Sequence, residues 1–268
     1  GKAQVIAVLK ANAYGLGLRE MAQLCREASI RRFAVTEPED AVRLRDWGFG
    51  EEEIIVLRST ANAQEIQQIL QSGATATVGS YDAALALNGL AESQGMVCDV
   101  HIKVDTGMHR LGFDPMRDMP ALIDRLKSQT ALVPRSVFSH FVGSDSDGFD
   151  DFSAEQYRRF LYGADVLQGG FSHHILRHMC NSAGIEHFPE RQMDMVRLGL
   201  GLYGINARNN ELLSNVSTLK TTILQIHDVS QNETVGYSRR GKLSRDSRIA
   251  SIPIGYADGW DRLFGNGK

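Results

Sequence analysis

From the start of the chain to about Gly204, strand-like runs alternate with stretches in which apolar residues recur every three or four positions. The first run, Val5 to Leu9, is apolar throughout, as befits a strand buried on both faces in a parallel sheet. It is followed by Leu18, Met21, Ala22, Cys25 and Ala28 at the spacing of an amphipathic helix. Further strands are predicted at Arg32 to Val35, Ile54 to Leu57, Ala74 to Val78, Val97 to Val104, Ser136 to Phe141, His174 to Cys180 and Met195 to Leu200. Pro38 suits the first turn of the helix that runs to Trp47, and Ser153 with Gln156 reads as a capping box ahead of Tyr157, Phe160, Leu161 and Ala164. Eight strand–helix units are the number that closes a (β/α)8 TIM-type barrel. Beyond Gly204 the helical spacing stops, and Thr221 to Val229, Glu233 to Tyr237 and Ser247 to Ile254 read as strands separated by polar turns. The pattern predicts an α/β barrel over residues 1–210, followed over 211–268 by the beginning of a separate, truncated antiparallel β domain.

Composition narrows the function classes. The 268 residues are 43% hydrophobic and 23% charged, an ordinary globular balance. A formal charge of −3 supplies no basic footprint for nucleic acid. No apolar run approaches the length of a membrane span, and no signal peptide opens the sequence shown. Cys25, Cys98 and Cys180 lie far apart inside apolar patterns, which predicts buried thiols in a reducing cytoplasm and neither a disulfide frame nor a zinc site.

Polar residues at the carboxyl ends of barrel strands converge on one site, and several are present. Lys10 follows the first strand directly, with Asn12, Tyr14, Gly15 and Gly17 beside it. On the local string alone it reads as an exposed lysine at a strand end; held against an apolar wall, such a lysine has its ammonium disfavoured, and the free amine can form a Schiff base or act as a base. Lys103, Asp105, Thr106, Met108 and Arg110 crowd a turn after the fifth strand, where Lys103 and Asp105 could also satisfy one another as an ion pair. His140 and His178 belong to the sixth and seventh strands, and on local sequence such histidines are more often hydrogen-bonded core residues than catalysts. Arg197, in the eighth, has Asp194 as a potential partner. Asp145 and Asp147 in SDSDGFDD have calcium-loop spacing, but Asp150 stands where that loop requires glycine, so the segment reads as a solvated loop.

Five segments in order, KANAYG, KVDTGMHRLG, RHMCNSAG, VRLGLGLYG and PIGYADGW, are together similar to the alanine racemases, pyridoxal 5'-phosphate enzymes of fold-type III. The resemblance implies that Lys10 carries the cofactor, that Tyr14, Ser182 and the backbone N–H groups of Gly199 and Leu200 hold its phosphate, and that no metal is needed. It sets Arg110 near the ring hydroxyl, the Met108 backbone near the substrate carboxylate, and Lys103 at the position of a lysine that many members carbamylate. It places His140 and His178 in the cofactor site and sets the Arg197 guanidinium against the pyridine nitrogen. A permanent cation there keeps that nitrogen unprotonated and the ring a weak electron sink, which favours reprotonation over side reactions. Tyr256 matches the second base, linked through His140 toward Arg197 and supplied by the other subunit of a head-to-tail homodimer. The sequence opens and closes within the family's pattern, so it reads as part of a longer protein.

The implied activity is interconversion of L- and D-alanine, feeding peptidoglycan synthesis in the cytoplasm. A racemase preferring serine, of the glycopeptide-resistance type, is the nearest alternative. A pyridoxal-phosphate carrier without turnover would need neither Arg197 nor a second base, and decarboxylases on the same barrel would carry a carboxylate in place of Arg197.

Overall fold

The computed structural model describes residues 3–206, 208–209 and 212–265, in two compact units, Gly1–Asn215 and Val216–Lys268. Residues 210 and 211, where the sequence pattern put the boundary, lie outside the described residues.

The first unit is a closed parallel barrel of eight strands in chain order. They are β1 (Gln4–Val8), β2 (Arg32–Val35), β3 (Glu53–Val56), β4 (Thr75–Val78), β5 (Cys98–Lys103), β6 (Leu132–Phe138), β7 (Leu176–His178) and β8 (Met195–Leu198). Closure comes from β1 pairing with β8, with Ile6 opposite Arg197. The outer helices are α1 (Leu18–Glu27), α2 (Pro38–Asp46), α3 (Ala63–Ser72), α4 (Tyr81–Ser93), α5 (Met119–Ser128), α6 (Asp150–Gly169) and the short α7 (Ser182–His187).

Alternation along the strands sorts residues into two layers. Ala7, Leu9, Phe33, Val35, Ile54 and Val56 join the large cluster that includes the helices' apolar faces. Ile6, Val8, Ala34, Ile55 and Met195 form a second, smaller cluster. The same alternation carries His101 and Lys103 on β5, Ser136 and Phe138 on β6, His178 on β7 and Arg197 on β8, all buried. One side of this barrel is therefore filled with polar and charged groups.

Two local expectations fail. Strand β6 starts at Leu132, four residues before the predicted Ser136, because Pro134 is accommodated where the register with β5 slips between Val100 and His101. Ser153 and Gln156 do not cap α6, which begins at Asp150 with Phe149 before it; both are fully buried inside the helix. The sequence offered a good cap, but the preceding Asp150 and Asp151 also suit a first turn.

The second unit holds antiparallel pairs: β9 (Gln225–Val229) with the later strand Ser247–Ser251, and Thr234–Val235 with Gly241–Lys242. Among the described residues no helix is long and apolar enough to cross a membrane.

Candidate active site

At the carboxyl ends of the strands lies a cavity of about 910 Å³, within the usual range for a small-molecule site. Lys10, Tyr14, Lys103, Met108, Arg110, His140, Ser182, Arg197, Gly199 and Leu200 all line it. The two predicted residues that do not are His178, behind Arg197, and Tyr256, in the second unit.

Lys10 and Tyr14 bracket an unusual turn. Lys10–Tyr14 winds as one helical turn whose inner residues Ala11, Asn12 and Ala13 have φ of 53°, 54° and 54°, and Tyr14 follows at 54°. Left-handed backbone costs roughly 1–2 kcal/mol per non-glycine residue and persists where surrounding contacts hold it. Here Asn12 Oδ1 accepts from Leu18 N–H at 2.9 Å and Asn12 O from Gly17 N–H at 3.0 Å. The Lys10 side chain is exposed, its Nζ 5.7 Å from the Tyr14 ring. The apolar wall expected around it is therefore not supplied by the described residues, since the turn carries Lys10 out from the buried Leu9.

Ser182, Gly199 and Tyr14 form a small polar cradle. Ser182, the first residue of α7, accepts from Gly199 N–H at 2.9 Å and Gly201 N–H at 3.1 Å. A side chain at Gly199 would collide with the Tyr14 hydroxyl, 2.9 Å from where its Cβ would stand. Asn181 caps α7 through Gly184 N–H. Two hydroxyls, with the Gly199 and Gly201 N–H groups gathered on Ser182 Oγ, bring to one place the kind of donors that suit a phosphate dianion.

Arg197, 4% exposed, is held at both Nη atoms by neutral acceptors. Nη1 donates to His178 Nδ1 at 2.7 Å; Nη2 donates to Ser139 O at 2.6 Å, Met179 O at 3.0 Å and His140 Nδ1 at 3.1 Å. Asp194 instead accepts from Arg177 N–H and lies beside His174, so the pairing with Arg197 open in the sequence is not formed. Nothing among the described residues accepts from Arg197 Nε. Burial pushes the guanidinium down to about 10, still charged at neutral pH. Because arginine only donates, both histidines must present a bare Nδ1 to it, which puts their protons on Nε2. Burial first, and then the Arg197 charge, hold His140 and His178 well below the ordinary histidine range, so both are neutral. His178 stacks on Phe138 at 4.8 Å and its Nε2 meets Ser136 Oγ at 3.2 Å. It is a support for Arg197, not a wall of the cavity.

Lys103 is 8% exposed and forms no ion pair among the described residues; its Nζ lies 4.6 Å from the Phe138 ring. Asp105 turns away and accepts from Gly107 and His109 N–H groups, so the alternative Lys103–Asp105 pair is absent. Burial, then the Arg197 and Arg110 charges, hold the Lys103 ammonium well below its usual range. Lys10, Lys103, Arg110 and Arg197 thus bring basic groups to one cavity, and none has a carboxylate partner among the described residues. Most other arginines of the barrel, such as Arg26, Arg32, Arg58 and Arg135, are paired.

Tyr256 opens a 3-10 turn, Tyr256–Asp258, is 62% exposed, and has the Arg262 guanidinium 5.3 Å from its ring. Sequence reasoning missed Ser139 and Gln156. Ser139 stands between Phe138 and His140, where its carbonyl holds Arg197; Gln156 was absorbed by the cap reading.

Two family models cover the chain: the alanine racemase N-terminal domain matches residues 1–207 and the C-terminal domain residues 216–268. An alanine racemase of Methanococcus maripaludis is 33% identical over all of this chain and 72% of its own length. The alanine racemase of Clostridium difficile 630 superposes with a TM-score of 0.85 at 26% identity, over 98% of this chain and 69% of that one. That of Bartonella henselae, described with covalently bound pyridoxal phosphate, gives 0.83 at 26% identity, over 97% of this chain and 71% of its own.

Proposed function

The chain belongs to the alanine racemase family of pyridoxal-phosphate-dependent racemases, and from that premise we propose that it interconverts L- and D-alanine by two-base proton transfer. The observation that carries this reading is the environment of Arg197. A buried guanidinium lines the cavity with both Nη atoms committed to neutral groups and Nε without an acceptor among the described residues, as a partner for an unprotonated ring nitrogen would be. Lys10 would hold the cofactor; Tyr14, Ser182 and the N–H groups of Gly199 and Leu200 would hold its phosphate. When bound, the cofactor acidifies the substrate Cα–H.

The chain's own residues do the rest. Lys10 exchanges a proton with Cα on one face, and Tyr256 of the partner subunit does so on the other, in a head-to-tail homodimer. Arg110 and the Met108 backbone orient the substrate carboxylate. His140, its proton fixed on Nε2, links the tyrosine side of the site to Arg197. Lys103, whose ammonium is disfavoured by burial and then by the Arg197 and Arg110 charges, is suited to add CO2 with loss of one amine proton to solvent, and the carbamate so formed would supply negative charge to the site. The product D-alanine would feed peptidoglycan synthesis in the cytoplasm.

The test reconstitutes the protein with pyridoxal phosphate and follows racemisation of L- and D-alanine against L- and D-serine. Lys10→Ala should abolish activity, and Tyr256→Phe should suppress it. Racemisation undiminished by Tyr256→Phe in both directions would overturn the two-base assignment, and a preference for serine would overturn the substrate.

A further inference from the structure

The geometry points to Gln156, on the outer helix α6 and outside the cavity wall, as the residue that positions both the Thr106–Arg110 turn and His140. This inference rests on the roles just given to Arg110, Met108 and His140. Gln156 is 0% exposed, and all three arms of its amide are engaged. Nε2 donates to Thr106 Oγ1 at 3.2 Å and to His140 O at 3.1 Å, and Oε1 accepts from Val142 N–H at 3.0 Å. One side chain therefore ties the turn that follows β5 to the loop that follows β6.

The direction of every hydrogen bond beyond it can be worked out. Ser139 Oγ lies 2.9 Å from Val104 O, which can only accept, so the Ser139 hydroxyl proton is spent there. Ser139 Oγ must then accept from Thr106 Oγ1 at 2.8 Å, and Thr106 can only accept from Gln156. The chain runs one way, Gln156 to Thr106 to Ser139 to the Val104 carbonyl. It passes through Ser139, the residue whose own carbonyl holds Arg197 Nη2. A residue without N–H donors at 156 strands Thr106 and the His140 carbonyl in a dry site, where an unmade bond costs more than a formed one gains. Because His140 Nδ1 and Ser139 O share one arginine nitrogen, displacement of the loop is felt as loss of the His140–Arg197 contact.

Gln168 supplies the control. On the same helix it makes a similar bracket, Nε2 to Phe171 O at 3.3 Å and His173 O at 2.9 Å with Oε1 accepting from Ile175 N–H at 2.9 Å, with no residue of the site involved. Gln156→Leu and Gln168→Leu should both lower Tm. Only Gln156→Leu should lower kcat, by about 10- to 100-fold, as a misplacement near 1 Å does, with pyridoxal-phosphate absorbance retained because the phosphate cradle lies elsewhere. Gln156→Glu sharpens the test: ionised, it has no donor and reverses the Thr106 bond, whereas protonated it regains one. Its activity relative to wild type should therefore rise as pH falls through the pKa of the buried carboxyl, raised by desolvation.

A second readout needs no turnover. Nitrogen-15 NMR of histidine-labelled protein, with His140 assigned by His140→Gln, should show the Nε2–H tautomer in wild type and Gln168→Leu and a mixture in Gln156→Leu. If Gln156→Leu keeps the wild-type His140 signals and matches Gln168→Leu in kcat and KM, the inference is wrong. A wild-type protein that racemises neither amino acid would overturn the functional reading alone, and the NMR result would still decide the role of Gln156.

Discussion

Substituting Gly199 by alanine tests the proposed phosphate cradle without touching a charged group. The added methyl would stand 2.9 Å from the Tyr14 hydroxyl, about half an ångström inside an ordinary carbon–oxygen contact. Tyr14 has little room to yield, because its ring packs on Tyr203 at 4.7 Å between centroids and its backbone sits in the left-handed turn. Overpacking of this kind costs roughly 1–3 kcal/mol. If that strain falls on the bound state, the Kd for pyridoxal phosphate rises by about 5- to 150-fold. Titration of the apoprotein, followed by the cofactor's absorbance, measures it. The informative experiment is the cycle with Tyr14→Phe, which removes the oxygen the methyl meets. Tyr14→Phe alone should weaken binding by loss of one donor to the phosphate, whereas the double variant should bind better than the sum of the two single losses, with a coupling of about 1 kcal/mol or more. Strictly additive losses, or a Gly199→Ala protein that binds as wild type, would show that the hydroxyl and the glycine do not share the cradle.

Asn12→Ala should destabilise the barrel by about 1–2 kcal/mol, because it loses both the Oδ1 contact at the start of α1 and a residue that tolerates left-handed backbone; Asn12→Gly, which restores only the backbone freedom, should fall between the two in Tm. Arg197→Ala should cost several kcal/mol, since it leaves Ser139 O, Met179 O and two histidine nitrogens without their donor, and chemical denaturation should register it even in apoprotein. Glu52, buried and held by Arg26 through contacts of 2.7 and 2.9 Å, has its carboxyl drawn below the usual range chiefly by those bonds. A depressed carboxyl gives stability that is present above the unfolded-state pKa and lost as pH falls through the folded one. Glu52→Gln should therefore lower Tm at pH 7 and flatten its decline below about pH 4.5; an unchanged acid limb would show that the pair does not govern it.

The barrel was legible because its strands read as apolar runs punctuated by amphipathic helices, a signal that both layers reinforce. What stayed hidden was the layer order inside the runs. His101 and Lys103, Ser136 and Phe138, and Met195 and Arg197 alternate with apolar neighbours at period two, and that alternation alone puts them on the inner face. Lys10 was legible as a strand-end residue, but its surroundings were not: nothing in Ala11 or Ala13 announces left-handed backbone, which these residues adopt only because the hydrogen bonds of Asn12 and the following glycines hold the turn. Gln156 was misread because a Ser-x-x-Gln string is physically a good cap, and only the position of the preceding turn decides whether it is used.

The charges of the site follow one rule that no individual residue reveals. The barrel pairs most of its outer arginines with carboxylates, yet gathers Lys10, Lys103, Arg110 and Arg197 around a cavity and gives none of them such a partner among the described residues. Two of them are buried, and burying like charges together opposes folding. Arg197 survives this because five neutral acceptors spread its charge; Lys103 survives it because its ammonium is pushed toward the neutral amine. The remaining deficit of negative charge is a binding potential. A ligand carrying a phosphate dianion and a carboxylate would offset it at two points, with a neutral acceptor meeting the Arg197 Nε–H; on the function proposed above, selectivity for such a molecule would come from the anions this cavity lacks among the described residues.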